Sequence, residues 1–106
     1  MAETTVWRKI PASHPALPGH FPGHPVVPGV VILSEVWDAL LANAKRPLRC
    51  TGWPNVKFLA PLSPEEPFTI EKELTGPGTA RFTCKSAERT FAQGSVRFSE
   101  ITVDRE

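Results

Sequence analysis

At 106 residues the chain has room for one domain, residues 1–106, and a core small enough that help from a partner subunit is expected. Hydrophobic residues at 41% and charged residues at 22% suit a soluble globular protein, and a net charge of +1 excludes a dedicated nucleic-acid binder, which would be clearly basic. No apolar run reaches the ~20 residues that span a membrane, and Met1-Ala2-Glu3-Thr4-Thr5 lacks the basic-then-apolar pattern of an export signal, so a cytoplasmic protein is expected.

Thr5 to Ile10 alternates weakly, with Val6, Arg8 and Ile10 on one face, and predicts a first strand. From Pro11 to Pro28 the chain holds half of its twelve prolines. Each fixes φ and removes a backbone donor, so this is a stiff loop. A structureless loop of that length inside a compact domain is usually functional. It carries His14, His20 and His24. Three histidines could in principle hold a metal, but the loop adds no acid or cysteine to them, and no metal is expected.

Gly29 marks a change of pattern. Beyond it Leu33, Val36, Trp37, Leu40, Leu41 and Ala44 recur at helical spacing and predict a helix over 30–45 with that stripe toward the core. Lys45 and Arg46 would fall in its last turn, where cations suit the dipole, and Pro47 would stop it. A helix start offers unpaired N–H groups and partial positive charge, and glycine there admits a close approach to the backbone. The pattern therefore places a histidine-bearing loop directly before a site for a carbonyl oxygen or an anion.

The remainder is β-like. Leu48 to Leu59 predicts a strand interrupted by Gly52 and Pro54. Phe68 to Leu74, then Ala80 to Lys85, then Thr90 to Ile101 alternate in the manner of half-buried strands, separated by turns at 75–78 and 87–89. One strand, one helix, then several antiparallel strands is an α+β pattern, satisfied by a curved antiparallel sheet around a single apolar helix. Trp53 and Phe58 are expected in packing. Cys50 and Cys84 are expected as reduced, buried thiols.

His20-Phe21-Pro22-Gly23, Pro25-Val26 and Pro28-Gly29-Val30 together resemble the signature of the hotdog-fold 3-hydroxyacyl-acyl-carrier-protein dehydratases, and Val56 to Pro64 resembles the strand and turn that follow the helix in that family. The resemblance implies a hotdog fold and loss of water from a 3-hydroxyacyl thioester to give a trans-2-enoyl thioester. It implies His20 as the base and the Gly29 N–H as the group that polarises the thioester carbonyl. Phe21, Pro28 and Val30 would border the substrate. No cofactor is implied. The partners implied are an acyl carrier protein and a second copy of the chain, since the family shares its sites across two subunits. Lys45, Arg46, Arg49 and Lys57 are candidates to meet an acidic carrier.

The family's acidic residue, fourteen positions after the histidine, is here Ser34, and Glu35 is one position late. At about 100° per residue Ser34 sits on the margin of the apolar stripe and Glu35 almost opposite it. Ser34 and Glu35 are both carried forward as site candidates. Two alternatives follow from the departure: a non-catalytic or weakly active thioester-binding subunit that partners an active dehydratase, and a hotdog thioesterase.

Overall fold

The computed structural model describes residues 3–17 and 26–101. Strand β1 is Glu3–Arg8, helix α1 is Gly29–Ala42, and strands β2 to β5 are Leu48–Phe58, Phe68–Gly76, Thr79–Ser86 and Arg89–Glu100. The strands form one antiparallel sheet in the order β1-β3-β4-β5-β2. With α1 against one face, this is the α+β hotdog architecture that the resemblance implies. The described helix is not long and apolar enough to cross a membrane.

The core lies between helix and sheet. Val31, Ile32, Val36 and Ala39 of α1 meet Phe68, Ile70, Phe82, Cys84 and Phe91. Phe68 and Phe91 pack edge to face at 5.5 Å between ring centroids, and Trp53 packs edge to face on Phe82 at 5.9 Å. Phe91 is turned inward by a register shift: Cys84 pairs with Ala92 but Lys85 with Thr90, so Phe91 is the extra residue of a bulge. Burial pushes the Cys84 thiol up to about 12, which makes it an inert packing residue, and both cysteines are free.

The β2–β5 pair shifts register between Cys50 and Gly52 and again between Gly52 and Asn55. Just past the second shift Val56 lies opposite Gly94, and a Cβ on Gly94 would fall 1.9 Å from the Asn55 carbonyl oxygen. Only glycine lets β2 cross β5 this closely. The sharp curvature that folds the sheet around α1 thus has a sequence cause: Gly52 and Pro54 break the ladder on one strand, and Gly94 makes room on the other.

Three expectations change. The first strand begins at Glu3 and ends at Arg8, because Lys9 and Ile10 leave the ladder and Ile10 turns into the core. The helix ends at Ala42 rather than at 45. The Asn43 N–H turns back to Leu40 and Leu41, and the Ala44 N–H to Leu41, so the last turn tightens and closes before Lys45. The buried stripe is also rotated toward Ile32, Val36 and Ala39. Leu33 and Trp37 are half-buried, Leu41 is 38% exposed and Val30 71% exposed. The sheet covers only part of the apolar surface, and the remainder forms a band along the helix.

Candidate functional site

His20, Phe21 and His24 lie outside the described residues. The chain on either side of them is anchored. Before the segment, the Ala12 N–H donates to Glu65 Oε2 at 2.8 Å, the Glu65 N–H donates to the Ile10 carbonyl at 2.8 Å, and Leu17 is buried. After it, the Val27 N–H donates to the Leu62 carbonyl at 2.9 Å, with both side chains buried. His14 sits in the turn before the segment, where its Nδ1 accepts the Ala16 N–H at 3.0 Å.

Pro28 occupies the N-cap in an extended conformation. Its carbonyl accepts from Val31 at 3.0 Å and Ile32 at 3.3 Å. The N–H groups of Gly29 and Val30 donate to no acceptor among the described residues. Proline supplies no side-chain cap, and the first turn contains no acid. Gly29, at the positive end of the helix dipole, lines a cavity of about 520 Å³. Val26, Ile32, Phe58, Leu59, Ala60 and Leu62 form most of its wall. The Leu59 and Ala60 N–H groups both turn to the Phe91 carbonyl, so the wall opposite the helix start is fixed to β5. An apolar cavity with the unpaired Gly29 N–H at the helix start can hold a thioester carbonyl oxygen and strengthen its partial charge.

The sequence reading missed the neighbour of Gly29. A Cβ there would meet the Phe58 ring at 2.7 Å, so the space that glycine leaves is occupied by this half-exposed ring at the end of β2. Phe58 belongs to the site wall as well as to packing. Its only sequence signal was its position in the Val56–Pro64 stretch.

Ser34 and Glu35 point differently, but the rotated stripe reverses the order expected from the helical wheel: Ser34 is exposed and Glu35 is half-buried. Ser34 is exposed in the band that also contains Val30, Trp37 and Leu41, at spacings of one to three helical turns. Glu35 is turned to β1, where Arg8 Nη1 reaches Glu35 Oε1 at 3.3 Å and Asp38 Oδ2 at 2.9 Å. This arginine clamp explains why Arg8 shares the inner face of β1 with Val6: its charge is answered by two helix carboxylates. The clamp gives Glu35 a structural partner. Ser34 has none among the described side-chain contacts.

Comparison with known proteins adds independent findings. The family model of ApeI-like dehydratases, described as ApeI dehydratase, matches residues 2–95. A 3-hydroxyacyl-[acyl-carrier-protein] dehydratase FabZ of Thermus thermophilus is 31% identical over 103 residues, covering 87% of this chain and 69% of that relative. The FabZ of Acetivibrio thermocellus is 27% identical, covering 92% of this chain and 75% of the relative. Among solved structures, the dehydratase heterocomplex ApeI:P from Xenorhabdus doucetiae superposes with a TM-score of 0.82 at 20% identity, covering 92% of this chain and 88% of that one. The fluoroacetyl-CoA thioesterase FlK superposes at 0.72 with 16% identity, covering 94% and 85%. At these identities the two structures speak for the fold.

Proposed function

Because the chain belongs to the ApeI-like dehydratase family, we propose that it eliminates water from a 3-hydroxyacyl thioester, held on the phosphopantetheine arm of an acyl carrier protein, to give the trans-2-enoyl thioester. The chain is a lyase, as are the FabZ dehydratases to which it is similar. The single observation that carries the site is the uncapped start of α1, where Gly29, whose N–H donates to no acceptor among the described residues, lines an apolar cavity.

The division of labour follows from chemistry. The thioester carbonyl accepts from the helix-start N–H groups, which makes the α-proton acidic. His20 removes that proton and assists departure of the β-hydroxyl, a task that suits an imidazole. Phe21, Pro28 and Val30 border the acyl group, and Phe58 closes the wall behind Gly29. We take residues 1–106 as one such domain. The two free cysteines fit a reducing cytoplasm.

The proposed active form is a dimer. Val30, Trp37 and Leu41 leave an apolar band on the helix, and Phe58 and Leu59, 49% and 53% exposed, extend apolar surface to the end of the edge strand β2. Light scattering at micromolar concentration is expected to give twice the 11.6 kDa chain mass. A monomer that still turns over substrate would contradict the shared site.

Ser34 bears on how the proton reaches the leaving hydroxyl. Serine can hold a water or the substrate hydroxyl but is a poor proton donor at neutral pH. The Ser34→Glu variant is therefore expected to raise dehydration by roughly a hundredfold, the low end of what a placed general acid contributes. The Glu35→Gln variant, which loosens only the partly exposed Arg8 clamp, should leave turnover unchanged and cost no more than about 1 kcal/mol of stability. An inactive Glu35→Gln with a normal Ser34→Ala would make Glu35 the acid. A second reading is favoured by one further finding: the ApeI relative was solved as a heterocomplex. In that arrangement the acid comes from a different hotdog chain, and the Ser34 chain gains activity only when the partner is added.

A further inference from the structure

A larger cavity, about 670 Å³, opens at the other end of α1. The fourteen-residue helix puts it about 21 Å from the Gly29 site. Leu40, Leu48, Leu74, Ala80 and Phe98 make its walls apolar. Of the charged residues in the lining, Lys45, Arg46, Glu73 and Glu100 are exposed or half-buried, and only one is buried. Lys72 lies on the inner face of β3, in step with Phe68 and Ile70, and is 5% exposed. Its ammonium donates to Thr4 Oγ1 and, at 3.4 Å, to Asn43 Oδ1, both neutral oxygens. Among the described residues it has no carboxylate partner, whereas the exposed Arg46 and Arg81 each have one. Burial first, and then the charge of Arg8, hold its pKa below the usual lysine range. A buried ammonium without a counter-charge is costly, and this one keeps a third donor direction.

We propose that this cavity binds an aliphatic monocarboxylate, its chain along the apolar walls and its carboxylate on Lys72. The two carboxylates that also border the cavity do not compete, because Glu100 is held by Arg46 and Glu73 by Arg81. The C-terminal end of α1 faces the same space, and its partial negative charge opposes a dianion such as a phosphate ester. A singly charged head group with an apolar tail matches what remains: hydrocarbon walls and the buried Lys72 with its open donor, the other lysine of the lining, Lys45, being exposed. The site is independent of the dehydratase reading, since it uses none of the residues placed in that chemistry.

Calorimetric titration of the full chain with octanoate, octanol and octylamine tests this. Octanoate is expected to bind about tenfold or more tightly than octanol, the worth of one charge-assisted hydrogen bond, and octylamine more weakly than either. With labelled protein, the amide shifts caused by octanoate should centre on Leu74, Ala80 and Phe98. The Lys72→Met variant should reduce octanoate to the affinity of octanol. So should Asn43→Asp, an exposed change that gives the lysine an internal carboxylate and spares the core. Equal affinities for octanoate and octanol, shifts centred on Gly29 and Ile32, or undiminished octanoate binding by Asn43→Asp would each overturn the proposal.

Discussion

Replacing His20 with alanine is expected to lower dehydration of 3-hydroxyacyl carrier-protein substrates on the order of 10²–10⁴-fold, the contribution of a positioned general base. The fold should survive, because the contacts described on either side of the loop do not involve the histidine. Leu17 and Val27 are buried on either side, and the Val27–Leu62 and Ala12–Glu65 hydrogen bonds do not involve it. The matching experiment is turnover beside a thermal melt. Near-normal turnover with an unchanged melting temperature would remove His20 from the mechanism. His24→Ala, in the same loop, should change turnover little, which separates a catalytic role from a general effect of loop histidines.

Gly94→Ala should have the largest effect on stability. Its Cβ would sit 1.9 Å from the Asn55 carbonyl oxygen and 2.9 Å from the Val56 Cα, and neither backbone atom can move without breaking the β2–β5 ladder. Overpacking against backbone belongs at the upper end of such costs, about 3 kcal/mol. For a domain of this size that lowers the melting temperature by roughly 12–24 °C. Gly52→Ala provides the control, because a Cβ there meets nothing within 4 Å. Similar melting temperatures for the two variants would mean that β2 does not cross β5 at Gly94.

Much of this architecture is legible in the residues. The alternation of Phe68, Ile70 and Leu74, of Ala80, Phe82 and Cys84, and of Ala92, Gly94, Val96 and Phe98 marks the inner face of three strands; most of these are buried, Gly94 and Phe98 are half-buried, and Leu74, near the end of β3, is 46% exposed. Gly52 and Pro54 mark the break in β2, where the register does shift. The helical wheel separates Ser34 from Glu35 but puts the wrong one beside the covered face: Ser34 is exposed, and Glu35 is half-buried against Arg8.

What periodicity misses is set by partners from elsewhere in the chain. The helix stripe centred on Leu33 is rotated toward Ile32, because the sheet dictates which side of an apolar helix is covered. When nearly every side of a helix is apolar, its own pattern cannot choose. Phe91 lies inward because of a bulge that no local signal announces. Lys72 interrupts an apolar face and is nevertheless buried; its partners, Thr4 and Asn43, lie far from it in sequence. Phe58 reads as a packing residue, and only the folded chain brings its ring against Gly29.

The central claim is that this fold, with Ser34 in place of an acid, removes water rather than cleaving the thioester. The most direct measurement incubates the native chain with a 3-hydroxyacyl carrier protein and follows enoyl absorbance and free thiol together. The account predicts growth of the enoyl chromophore with no release of thiol. Thiol release without an enoyl signal would contradict it and make the chain a thioesterase.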